Sequence, residues 1–82
     1  MKKIEWGDFI HSHPNILLGK PVVKGTRLSV EFILGLYAEG WTEDQVLENC
    51  PILTKESLLA VFAYTRKCMR EEFLYPLSAE TK

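Results

Sequence analysis

Gly19-Lys20-Pro21-Val22-Val23-Lys24-Gly25-Thr26-Arg27-Leu28-Ser29-Val30 is the stretch whose reading decides the fold. It is basic, rich in β-branched residues, and punctuated by a proline and two glycines. β-branched pairs favour strands, and glycine supplies the turn or bulge that a short strand needs at its end. The segment therefore reads as a β-arm. It runs directly into a helical pattern that opens after Ser29, whose hydroxyl suits a helix N-cap. Ile16-Leu17-Leu18 and Val22-Val23 are expected to form the two strands, with Gly19-Lys20-Pro21 as the turn between them. A two-stranded ribbon is marginal alone. It must lie on the helices or pair with the same ribbon of another chain.

Three helices follow. The first runs from Val30 to Glu39 and stops at Gly40, a good C-terminal glycine. Val30, Ile33, Leu34 and Tyr37 form one apolar stripe, while Phe32 and Leu36 lie on another side. A helix apolar nearly all round has both faces covered. The second opens on Thr42-Glu43-Asp44-Gln45, a capping box with acids in the first turn, and ends at Pro51. The third opens at Thr54 and runs to about Glu72. Leu58, Val61, Phe62, Thr65 and Met69 share its expected inward face. Ala60, Ala63, Lys67 and Arg70 lie opposite, with Tyr64 at the flank.

The fold class is therefore mostly α: a three-helix, homeodomain-like or helix-turn-helix bundle with a short N-terminal β-arm or hairpin. Residues 1–28 form the lead-in and arm, 29–75 the helical part, and 76–82 a flexible tail, within one domain. In the lead-in, Ile4, Trp6, Phe9 and Ile10 are apolar without a clean period; they cap the core or pair as a short strand. A chain of 82 residues buries only about 60% of the surface its unfolded form exposes. Its 46% hydrophobic content invites a homodimer in which two copies share a core.

The net charge is −1, but it is segregated. Residues 9–27 carry Lys20, Lys24 and Arg27 and no acid. Residues 28–54 carry Glu31, Glu39, Glu43, Asp44 and Glu48 and no base. Residues 55–70 carry Lys55, Arg66, Lys67 and Arg70 against Glu56. Two basic blocks can build a positive face on a near-neutral protein. With the last helix as the reading element, Lys20, Lys24, Arg27, Lys55, Ser57 and Lys67 are the candidate nucleic-acid contacts. The basic arm has a plainer alternative, a solvated strand edge guarded by lysines. Arg27 has another, a clamp on Glu43 or Glu48. Val22, Val23, Phe32, Leu36, Ala60, Ala63 and Tyr64 are the candidate dimer or partner interface.

Chemistry-bearing patterns are sparse. His11-x-His13 lacks the further ligands of a metal site. Cys50 and Cys68 build no disulfide framework and have no neighbouring histidine. No phosphate-cradling glycine loop and no triad pattern appears, so neither an enzyme nor a cofactor is expected. No apolar run has the ~20 residues that span a bilayer, and residues 1–8 lack a signal-peptide core. The expected compartment is the cytoplasm.

The run Asn15–Val30, the segment Gly40–Thr54 and the Ala60-Val61-Phe62-Ala63-Tyr64 stretch together resemble the family known as domain of unknown function 433, over roughly residues 6–72. The Gly-Lys-Pro-x-x-x-Gly-Thr-Arg core at 19–27 is the specific part. The family often has two glycines before Lys-Pro; here Leu18 stands in place of the first. The resemblance implies a small homeodomain-like protein, similar to the VapB-type antitoxins of type II toxin–antitoxin pairs. Such antitoxins dimerise, bind their own promoter and cover a PIN-like nuclease toxin. The alternative is a dimeric protein-interaction module that binds no DNA. A long toxin-wrapping tail is not evident, although Phe73, Leu74, Tyr75 and Leu77 offer an apolar docking segment.

Overall fold

A computed structural model describes residues 3–73 of the chain. The side chain of Phe73, together with Leu74, Tyr75, Leu77 and the expected tail at 76–82, lies outside what it describes. Two short strands, β1 (Ile10–His11) and β2 (Val22–Val23), pair antiparallel with Ile10 opposite Val23. Three helices follow: α1 (Val30–Ala38), α2 (Glu43–Asn49) and α3 (Lys55–Cys68), and a π-helical turn over Met69–Phe73 extends the last.

The hairpin differs from the expected one. The partner of Val22-Val23 is Ile10-His11 from the lead-in, not Ile16-Leu17-Leu18. Leu17–Gly19 instead forms a single 3₁₀-type turn. In it Leu17, Leu18 and Gly19 take positive φ angles of 49°, 57° and 84° in succession. Left-handed backbone cannot continue a strand and costs roughly 1–2 kcal/mol at each non-glycine residue, so this stretch reverses the chain. Gly25, at φ 80°, supplies the second reversal, as its position in the sequence predicts.

The helix starts follow the sequence closely. The Ser29 hydroxyl accepts a hydrogen bond from the Phe32 amide at 2.9 Å. Thr42 and Gln45 form the expected reciprocal box, with amide-to-side-chain distances of 2.8 and 3.2 Å. Thr54 and Ser57 form a second such box, which the sequence reading did not draw. There the Ser57 hydroxyl accepts from the Thr54 amide at 2.9 Å and the Thr54 hydroxyl from the Ser57 amide at 3.1 Å. α1 ends in a Schellman arrangement around Gly40, with the Trp41 amide donating to the Leu36 carbonyl and the Gly40 amide to that of Tyr37.

One core forms around Ile33, Val46, Leu58 and Val61, closed by Ile10 and Val23 from the hairpin and Leu53 from the α2–α3 turn. Leu36 belongs to this core, so the inward face of α1 is Val30–Ile33–Leu36, wider than the stripe expected. Of the expected second side of this helix, Phe32 is left half exposed, at 50%. α3 is also rotated from its expected setting. Its buried residues are Ser57, Leu58, Ala60 and Val61, while Phe62 and Met69 face outward. The reason is the N-terminal segment. Trp6 packs edge-on against Tyr64 with ring centroids 4.9 Å apart. A second cover over that side of α3 draws Ala60 inside and leaves the Phe62 side to solvent.

Deleting a fully buried branched side chain leaves a cavity, whereas trimming a half-exposed one does not. Ile33→Ala is expected to cost about 2–5 kcal/mol and Phe32→Ala under about 1 kcal/mol in urea unfolding of the same protein. Equal losses would contradict this placement of the core.

Candidate nucleic-acid and partner interface

The loop between β2 and α1 is built from its own short hydrogen bonds. The Thr26 hydroxyl donates to the Val23 carbonyl at 2.8 Å and accepts from the Leu28 amide at 2.9 Å. The Val23 amide donates to the Leu28 carbonyl, and the Val30 amide to that of Pro21 at 2.9 Å. An isolated bridge joins Val22 to Ser29. The Lys24 amide reaches the Phe9 carbonyl at 2.7 Å. Thr26 fills this role because a side-chain hydroxyl can both donate and accept across one tight turn. The result is a closed loop with Lys24 and Arg27 exposed on it.

The expected cationic residues divide accordingly. Lys24, Arg27 and Lys55 are exposed, and none of them takes part in the two ion pairs among the described residues. Lys20 instead pairs with Glu31 at 3.0 Å. Lys67 pairs with Glu71 at 2.9 Å and lies 5.6 Å from the Trp6 ring centroid, a cation–π contact. Ser57 is buried as a cap, so its assignment to base contact is corrected. The clamp from Arg27 to Glu43 or Glu48 is not among the described ion pairs.

The expected partner surface changes in the same way. Val22, Val23, Leu36 and Ala60 are buried inside the chain, so they have no apolar area left to offer another copy. Val23, Leu36 and Ala60 belong to the one core, and Val22 is fully buried beside it. Phe32 is half exposed; Ala63 and Tyr64 are partly so. Residues absent from the expected set stand out more. Leu59 and Phe62 on α3 and Met69 just past its end are all exposed, at spacings of three and seven. The signal was in the sequence as a second apolar stripe, offset from Leu58–Val61. Leu18, at the left-handed turn, is 95% exposed. Ile52, in the α2–α3 turn, is exposed as well.

Among the described residues no three His, Cys, Asp or Glu side chains converge as a metal site would need. His13 is occupied locally, its Nδ1 accepting from the Asn15 amide at 3.1 Å. His11 Nε2 is buried with no hydrogen-bond partner. Cys50 and Cys68 are free thiols, both partly buried. No helix among the described residues is long and apolar enough to cross a membrane.

A capped three-helix unit, with a hairpin sewn onto its first helix and a cation-bearing loop at that seam, defines a small helical domain with a short β-hairpin. The matching family model is described as Protein of unknown function (DUF433), and it covers residues 10–65, from the first strand to the last turn of α3. The chain belongs to that family. No curated protein and no solved structure matches it.

Tyr37 bridges α1 and α3, its ring 5.1 Å from that of Phe62 in an edge-on contact. Desolvation, and secondarily the Glu43 carboxylate, raise its phenol above the ordinary 10.0. The folded state thus holds a proton that the unfolded state has begun to release. The stability this contributes is fully present below pH 10.0 and is lost as pH rises through the folded value. Ultraviolet phenolate titration should find one tyrosine ionising above its ordinary range, and Tyr37→Phe should remove it and lessen the alkaline loss of stability. An unchanged titration in Tyr37→Phe would contradict the assignment.

Proposed function

We propose that this protein is a dimeric, DNA-binding antitoxin of a type II toxin–antitoxin pair, which covers a PIN-like nuclease toxin and represses its own promoter. The resemblance of the Gly19–Arg27 core to such antitoxins motivates the reading. The observation that carries it is the closed loop bearing Lys24 and Arg27, exposed and unshared with any acid among the described ion pairs. Cations fixed on a short loop suit phosphate contact, because little side-chain-bearing backbone must be ordered on binding. Helix α3, following the Cys50–Thr54 turn, is the reading element in this proposal, with Lys55 at its first turn.

One observation favours a second reading, a protein-interaction module that binds no DNA. The outward face of α3 carries Leu59, Phe62 and Met69, with Glu56 at its start. Exposed aliphatic and aromatic groups in a row suit a protein partner, and a carboxylate at the leading turn opposes phosphate.

An anisotropy titration against the DNA upstream of the gene, at low and physiological salt, separates the two. The antitoxin reading expects binding that weakens steeply with salt. A Lys24/Arg27/Lys55→Ala variant should lose affinity and flatten the log–log salt slope by roughly 2–3, about 0.9 per phosphate contact. Absence of binding at low salt would overturn the DNA-binding claim. The interaction reading would then expect Phe62→Glu to abolish capture of the neighbouring gene's product.

A further inference from the structure

An open apolar groove of about 680 Å³ runs between the start of the hairpin seam, α1 and the C-terminal half of α3. Pro21, Val30, Leu34 and Cys68 line it, and Lys20 and Glu31 stand beside it. These two are the charged residues of its lining, and they pair with each other at 3.0 Å. A few residues upstream along the chain is Leu18, a large aliphatic side chain left 95% exposed on a backbone with φ of 57°. Most residues of this size avoid that conformation, and most leucines avoid that exposure. An apolar projection and an apolar recess thus lie close together in the chain, since only one residue separates Leu18 from Lys20 of the recess and two separate it from Pro21.

Neighbouring placement of projection and recess is what a twofold interface requires. When an axis passes between the two, each copy's projection falls on the other copy's recess, and one set of contacts is made twice. The charges fit the same operation. A rim with one cation and one anion is self-complementary, because Lys20 and Glu31 can each exchange partners with the opposite charge of the second copy.

We propose that two copies of this chain associate about a twofold axis, with Leu18 of each seated in the groove between α1 and α3 of the other. This names the surface behind the dimer of the preceding reading, and it rests on that reading only for the existence of a dimer. The partner is a second copy of this chain. The stripe at Leu59, Phe62 and Met69 is not part of the interface and stays free for another molecule.

Cys68 makes the proposal testable, because it lines the recess. In a Cys50→Ser background, Leu18→Cys places a thiol at the projection. Mild oxidation should give a covalent dimer on non-reducing gels, with mass spectrometry assigning the link to position 18 of one copy and Cys68 of the other. In a second experiment, sedimentation equilibrium of Leu18→Gly should show a dimer dissociation constant raised by roughly tenfold or more. Its thermal midpoint, measured at a concentration where both proteins are monomeric, should be unchanged or higher, since glycine accepts positive φ. An oxidised monomer with an internal 18–68 bond, or no bond at all, would overturn the proposal. So would an unaltered dissociation constant in Leu18→Gly. If the wild type is dimeric and both tests fail, this surface is wrong and the dimer stands on another. If the wild type is monomeric at all concentrations, the dimer itself is refuted.

Discussion

Val22 and Val23 are consecutive strand residues, and both are buried. Consecutive side chains in a strand point to opposite faces, so burying both forces the ribbon to be covered on two sides. That single constraint accounts for much of the molecule. One cover is the helical core around Ile33 and Val61. Ile4, Trp6 and Phe9 of the lead-in pack against that same core, which holds Val23, while Val22 sits at the bridge to Ser29. The lead-in is thereby a structural part of the domain. Its hold on α3 through the Trp6–Tyr64 contact turns that helix, drawing Ala60 in and leaving Phe62 out.

The local signals in this sequence were legible. Ser29, Thr42 and Thr54 start helices where their hydroxyls predict, and Gly40 closes the first helix. Such signals depend on neighbours a few residues away, which a sequence displays directly. The strand partner of Val22-Val23 was not legible. Ile10-His11 lies a dozen positions upstream, and the choice between it and Ile16-Leu17-Leu18 turns on a loop conformation. Leu17 and Leu18 in left-handed backbone are what the residue types argue against. The α1 stripe of Val30, Ile33, Leu34 and Tyr37 does face the core, but the burial of Leu36 and, at α3, the facing of Phe62 and Met69 were missed for a related reason. Both helices carry more apolar positions than one face can hold, so periodicity offers two solutions. The N-terminal cover decides between them.

The fold also sorts residues that look alike in the candidate site. Lysines at 20, 24 and 67 look alike in the sequence. In the fold, Glu31 takes the first and Glu71 the third, while the Thr26-centred loop leaves Lys24 beside Arg27 in the open. Ser57 looked like a polar group at the leading edge of a reading helix, yet its hydroxyl is spent on the helix start. Apolar side chains redistribute in the opposite sense: the valines of the arm vanish into the core while Leu18, Leu59 and Phe62 come to the surface. The cationic loop and the exposed apolar side chains thus occupy different residues of the surface.

The three N-caps are all neutral hydroxyls, and the ion pairs Lys20–Glu31 and Lys67–Glu71 both lie at the surface. Neutral hydrogen bonds are not screened by electrolyte, and exposed ion pairs contribute little to begin with. The helix starts and the described ion pairs therefore draw little of their strength from unscreened charge. At modest salt, a change in this protein's behaviour reports first on what its exposed charges touch, the Lys24–Arg27 loop among them, rather than on whether its helix caps hold.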